Sequence, residues 1–262
     1  MKKTPTKLIF AFLFSACIFG CAHQKKSKDV LYQTSTINAL LNGLYDGEVT
    51  IKDLKKYGDT AIGTFNMLDG EMLALNGSFY QVKYTGEVVE VPDTTKTPFA
   101  VVTFFETDKL ILFNKDTDMN MERLQTFLRQ SQISDNLFYA IIVKGDFGYV
   151  KTRSVPSQQK PYPVLADVVE TQAVFESRDV KGTIIGFFSP PYVKGINVPG
   201  YHFHFISEDK KFGGHLLECT FKKGEILIDI TDEFFMALPQ NSEFLKSDLS
   251  GEKEAELKKV EK

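Results

Sequence analysis

The chain has no tryptophan, and its 262 residues include only three cysteines, four histidines and four arginines. Two of the cysteines, Cys17 and Cys21, lie in or at the end of an N-terminal apolar run, which leaves Cys219 alone in the body. A single thiol excludes an internal disulfide framework. An excess of positive charge is also missing. The formal net charge is −3, and removal of Lys2, Lys3 and Lys7 with the first twenty residues leaves 28 basic against 34 acidic side chains. A mildly acidic body argues against nucleic acid as a partner, because phosphate binding needs a basic surface. A small anionic substrate needs only a local positive group and stays open. The apolar run from Leu8 to Ala22 is short for a membrane-spanning helix.

That same run has the pattern of an export signal over residues 1–24. Lys2, Lys3 and Lys7 form a positive leader, Leu8 to Phe14 an apolar core, and Ser15, Ala16, Gly20 and Ala22 supply small residues for processing. Ile18-Phe19-Gly20-Cys21 and Phe14-Ser15-Ala16-Cys17 both resemble a bacterial lipobox, in which a lipidated cysteine becomes the new N-terminus. Phe19 is large for its place in that pattern. The expectation is an exported protein, at the cell envelope or outside the cell, lipid-anchored through Cys21, with Cys17 as the rival site and a plain cleaved signal as the alternative. Residues 24–29 then read as a short polar tether.

The length suits one large domain or two small ones with a real hydrophobic core. The 43% hydrophobic and 25% charged fractions are ordinary for a folded protein, and the 23 phenylalanines read as core and hairpin packing. Residues 35–46 carry Ile37, Leu40, Leu41 and Leu44 at helical spacing behind threonine caps, and a short helix capped by Thr50 is expected near 50–56. Strands follow. Residues 71–75 and 78–84 flank Asn76-Gly77, a hairpin signal, because both turn positions need positive φ. Residues 99–105 read as a strand, 119–130 as a helix, and 137–143 and 147–155 as two strands separated by Lys144-Gly145-Asp146. Three prolines within 156–164 mark a linker or crossover. Beyond it come strands at 181–188, 201–206, 215–222 and 225–230, a helix near 231–237 and a charged tail. The expected fold is α+β, in two β-rich halves with mixed or antiparallel sheets and a few helices. The division is an N-terminal α+β domain over 29–160 and a C-terminal β-rich domain over 161–262 that ends in the charged tail.

Three of the four histidines fall within fourteen residues, and the fourth, His23, belongs to the signal. In a strand, residues i and i+2 share a face, roughly 7 Å apart at Cα. His202 and His204 therefore converge on one side while Phe203 and Phe205 pack on the other. Gly213-Gly214 lets the chain return, and His215 opens the neighbouring antiparallel strand. Three imidazoles on one sheet face suit a catalytic zinc, one per chain, with the fourth position left for water or substrate. Cys219, four residues on, would share the His215 face of a regular strand as a distant fourth ligand. A lone strand histidine is most often a core residue with its hydrogen bonds satisfied. Three with this spacing, and none elsewhere in the body, read as a metal site.

The chain resembles the bacterial acetolactate decarboxylase family from about Leu31 onward. The resemblance is carried by residues 63–71 (Gly-Thr-Phe-Asn-Met-Leu-Asp-Gly-Glu), 150–156 with Lys160-Pro-Tyr-Pro163, Gly200-Tyr-His-Phe-His-Phe205 and Gly213-Gly-His215. It implies decarboxylation of 2-acetolactate to acetoin and CO₂, and zinc on His202, His204 and His215. It also implies Glu71 and Arg153 lining the site, Thr64 near the substrate, and a glutamate of the tail reaching back to it. Glu261 is the best match to that residue, with Glu254 and Glu256 as rivals. A homodimer is implied as well.

The chemistry of the residues agrees. A metal chelated by the hydroxyl and ketone oxygens of acetolactate would polarise the ketone and stabilise the enediolate left when CO₂ departs. Arg153 can hold a carboxylate in a bidentate fork, and Glu71 or Glu261 can supply or relay the proton that the carbon needs. Outside the resemblance, Glu71 reads equally as a hairpin surface residue, Arg153 as one arm of a salt bridge and Glu261 as a loose end. The alternative readings are a zinc-dependent hydrolase, with Glu71 as base, and a metal-binding envelope lipoprotein without catalysis.

Overall fold

The computed structural model describes residues 29–261. The export signal and its Cys17 and Cys21 lie outside the described residues. The chain opens with β1 (Val30–Thr34), α1 (Ile37–Leu41), β2 (Val49–Thr50), α2 (Ile51–Leu54), β3 (Thr60–Thr64) and β4 (Glu71–Leu75). It continues through β5 (Ser78–Val82), β6 (Val88–Glu90), β7 (Lys96–Thr97), β8 (Ala100–Thr103), β9 (Lys109–Asn120), α3 (Met121–Ser131) and β10 (Phe138–Ser154). The remainder is α4 (Leu165–Val168), β11 (Ala173–Ser189), β12 (Gly200–Ser207), β13 (Gly213–Thr231), β14 (Glu233–Ala237), α5 (Ser242–Lys246) and α6 (Glu254–Val260).

Local chemistry sets the short elements. The Thr36 hydroxyl accepts from the amide of Ala39 and starts α1, while Thr50 and Asp53 form a reciprocal capping box on α2. Asn76 and Gly77 take φ of 52° and 79°, so β4 and β5 close as the expected tight hairpin. The Asn120 side chain accepts from Arg123 and caps α3.

The strands form two main bodies. One is a mixed seven-stranded sheet in the order β14-β1-β8-β3-β4-β5-β6, in which β14 runs parallel to β1. The other runs β10-β11-β12-β13-β9, and β10 also pairs with β13, which closes four strands into a barrel. Alternate residues of each barrel strand point inward: Ile141, Phe147, Ile184, Phe203, Phe205 and Phe221 fill the interior together with Leu124 and Leu128 of α3. The residues between them, such as Ala140, Ile185, Phe187 and Ile206, face outward and pack against Leu31, Ile62, Leu73 and Val101 of the sheet. The abundant phenylalanine is core packing. Mixed sheets with few helices are the α+β fold expected.

Three elements differ from the sequence pattern. Residues 137–155 hold one continuous strand, β10, and Lys144-Gly145-Asp146 stay in the ladder. Gly145 faces Gly182 on one neighbour and Gly224 on the other. A Cβ at Gly145 would stand 2.1 Å from the carbonyl oxygen of Lys223, so these glycines serve close strand approach rather than a turn. For the same reason residues 215–230 lie within the single strand β13. The expected helix near 231–237 is instead β14. Its residues find an open ladder on β1 and seat Phe234 against Phe138, which overrides a weak local preference. The expected boundary between 160 and 161 lies in the irregular segment joining β10 to α4. β9 and β10 before it pair with or beside β13 after it, and β14 returns to β1.

Candidate active site

β12 and β13 pair antiparallel with His204 directly opposite His215. Two residues back on β12, His202 shares the outward face of His204, as the period-two rule requires. The ring centroids stand 5.0–5.4 Å apart. One nitrogen of each ring lies within 4.8 Å of the others. Among the described residues these three form the one group of histidines, cysteines and acids drawn so close. Burial pushes all three pKa values down, with Arg153 adding to the effect and Glu261 opposing it at His202, which favours the neutral imidazoles.

Nδ1 of His204 is 2.7 Å from the carbonyl oxygen of Met72 on β4, which fixes the proton on Nδ1 and leaves Nε2 with its lone pair. That Nε2 is buried and has no hydrogen-bond partner, and neither has Nδ1 of His202. Nε2 of His202 lies 3.2 Å from Nδ1 of His215. Neutral imidazoles, converging nitrogens and an orphaned buried lone pair fit a divalent metal of the nitrogen-loving kind.

Cys219 does not join them. The β10–β13 register shifts between Lys151 and Thr152, which spends one extra residue of β13 after His215. Each such bulge reverses the facing of the residues beyond it. Cys219 therefore points into the barrel, where burial pushes its thiol up to about 12.

The seven-stranded sheet supplies the other wall. Glu71 opens β4 opposite Thr64 of β3, and one of its carboxylate oxygens accepts from Nη1 of Arg153 on β10. Its second oxygen is 3.6 Å from Nε2 of His204. Burial holds Glu71 up at about 7 despite the Arg153 guanidinium, and nearby Glu261 acts in the same direction as burial. Thr64 lines the cavity, and its hydroxyl donates to the carbonyl of Gly70 at 2.7 Å. It thereby closes the loop that delivers Glu71. In that loop Met67 and Leu68 take φ of 63° and 55°, a left-handed conformation costly for such side chains. The loop is held by Met67, whose amide donates to Tyr45 and whose carbonyl accepts from Gln158.

Arg153 is also tied to the tail: its Nη2 donates to the carbonyl of Val260 at 3.1 Å. Both terminal nitrogens are thus engaged, and the end-on fork expected for a carboxylate is occupied by Glu71 and Val260. Nε remains, buried and without a partner. Glu261 follows α6 directly, with a carboxylate oxygen 3.8 Å from Nε2 of His215 and 4.0 Å from Nε2 of His202. Its rivals are placed elsewhere: Glu254 pairs with Lys194 and Lys258, and Glu256 with Lys253. Together these groups enclose a cavity of about 40 Å³, with Ile37, Leu40, Phe99, Leu165 and Val260 on its apolar side. The two backbone carbonyls that orient His204 and Arg153 carry no side-chain signal and were invisible in the sequence.

Residues 31–251 match the family model described as alpha-acetolactate decarboxylase, a span that holds Thr64, Glu71, Arg153 and the three histidines and stops short of α6. The alpha-acetolactate decarboxylase of Methanosarcina mazei is 50% identical over 236 residues, covering 90% of this chain and 81% of the relative. That of Brevibacillus brevis is 45% identical over 85% of this chain and 78% of its own length. The crystal structure of alpha-acetolactate decarboxylase from Bacillus subtilis strain 168 superposes with a TM-score of 0.86 at 36% identity, covering 88% of this chain and 99% of that one.

Proposed function

The chain belongs to the alpha-acetolactate decarboxylase family, and from that premise we propose that its buried cluster decarboxylates 2-acetolactate to acetoin and CO₂ with one zinc ion on His202, His204 and His215. The enzyme is a carboxy-lyase. The observation that carries the rest is the meeting of three neutral imidazoles with a Glu71–Arg153 pair on one side and Glu261 on the other. When bound, the metal supplies positive charge beside the substrate ketone, where negative charge gathers as CO₂ leaves.

The chain's own groups do the remainder. The free Nε–H of Arg153 donates to the substrate carboxylate or to the oxygen that becomes anionic. Breaking the bond to the carboxyl group leaves its electron pair on the neighbouring carbon, as an enediolate with the former ketone. One proton must then reach the carbon that lost CO₂. Glu71 stands against His204, and Glu261 against His202 and His215, so the two carboxyl groups reach different edges of the cluster. Glu71, enclosed against His204 and bonded to Arg153, is placed to act as the donor. Thr64 keeps its loop closed, and the apolar wall excludes water that would otherwise compete for the proton. The family resemblance supports a homodimer, and the pattern of residues 1–24 supports export with a lipid on Cys21.

The test is acetoin formation from racemic acetolactate by the purified full chain. The reading expects rapid acetoin release from one enantiomer. Formation no faster than the spontaneous rate, in a folded protein, would overturn it.

A further inference from the structure

Access to the cavity has to lie where the cluster is least covered. The side chains of His204, His215, Arg153 and Glu71 are only 1–8% exposed, whereas His202 keeps 11% and Glu261 keeps 20%. Those two face each other at 4.0 Å. Glu261 also lines a second, larger cleft of about 680 Å³ between α6 and the segment leading into β12, floored by Ile196, Val198 and Pro199. The two hollows therefore meet at Glu261. The roof of the cleft is lightly held. Val260 is the one buried residue of α6, Leu257 packs half-buried against the core and Arg153 holds the Val260 carbonyl; the remaining ties are ion pairs of exposed side chains with Lys194 and Glu170, of the kind that contribute little.

The turn that aims α6 has a stronger fastening. The Asn38 side-chain amide donates to the carbonyls of Leu249 and Gly251, both at 3.2 Å, and Asn42, one helical turn on, donates to that of Asp248 at 3.2 Å. Asn38 sits on α1, whose own amides donate to the carbonyls of Gly195 and Ile196. Gly195, at φ 77°, leaves room for it, since a Cβ there would come 3.1 Å from the Asn38 nitrogen. Asn38 thus joins three segments, its backbone amide holding the entrance to the His202 strand and its side chain holding the turn before α6.

We propose that substrate passes through the cleft beneath α6, and that Asn38 is the positioning residue that seats this helix and so sets Glu261 over the metal-ligand cluster. Asn38 touches no reacting atom and acts through Glu261. The inference rests on the proposed decarboxylation.

The experiment is a double-mutant cycle in the full chain, with Asn38→Ala made alone and together with Glu261→Gln, following acetoin formation and the rate at which a chelator strips the metal. Asn38→Ala is expected to lower kcat about tenfold in the native background and to have almost no effect once Glu261 is gone, because the two act on one term. It is also expected to speed metal removal, since the roof of the cleft is loosened. Equal losses in both backgrounds, or no loss in either, would overturn the proposal. Melting temperature and circular dichroism of each variant, expected to stay near the native values, guard against a folding defect. A Glu261→Gln enzyme as active as the native one would instead count against the proposed role of Glu261 itself.

Discussion

The cluster is assembled by two regions built in opposite ways. The histidines stand on β12 and β13 of a closed barrel, paired in register, with packed phenylalanines behind them and a carbonyl of β4 locking the ring of His204. Glu261 hangs from a seven-residue helix with one buried side chain, fastened by an arginine, two asparagines, the half-buried Leu257 and exposed ion pairs. A metal site needs fixed geometry before anything arrives, and rigid strands supply it. A group that must let a charged substrate in and then close over it is better placed on an element with little stability of its own.

Changes to the rigid region should cost most. Replacing His204 by alanine removes a proposed metal ligand and its locked tautomer, and we expect activity to fall on the order of a thousandfold or more with metal content lost, as read by acetoin assay and elemental analysis. Arg153→Lys keeps the charge but cannot hold Glu71 and Val260 at once; a loss of about a hundredfold, with metal retained, would show that the arginine joins the two regions. Glu261→Gln should lower kcat about tenfold to a hundredfold with metal binding intact. A loss of metal in that variant would erase the distinction between the regions. Lys259→Ala, which frees Glu170 on the surface, should leave both activity and melting temperature almost unchanged.

A control lies in the barrel away from the cluster. Asp229 on β13 is buried, accepts from the amide of Glu106, and is pushed up to about 7 mainly by burial. Its pKa is higher folded than unfolded, so the stability it permits is complete below about pH 4 and is lost as the pH rises through 7. Asp229→Asn should remove that loss, on the order of 4 kcal/mol at pH 8, and flatten the stability profile between pH 4 and 7 in urea titrations. Its activity should match the native enzyme's.

The two regions also differed in how much of them could be read from residues alone. His202, His204 and His215 were legible because strand periodicity and a glycine turn settle which side chains share a face. The Asn76-Gly77 hairpin was legible for the same reason, since few residues take that backbone. Glu71, Arg153 and Glu261 came from resemblance, and the structure brings all three to the cluster. Gly145 and Gly224 misled, because a glycine needed for close strand approach carries the same letter as one needed for a turn. Cys219 misled because a bulge is set by pairing across the barrel and leaves no mark in its own strand. β14 reads as a weak helix until β1 offers it a ladder. Asn38 carried no signal at all, as its partners are backbone carbonyls more than two hundred residues away.

The central claim is that the three barrel histidines hold one catalytic metal. It is tested most directly by stripping the full chain with a chelator and titrating zinc back while following acetoin formation. The account predicts that activity vanishes on stripping, returns in proportion to added zinc and saturates at one ion per chain, with no recovery in His204→Ala. Full activity in protein shown to be free of metal would contradict it.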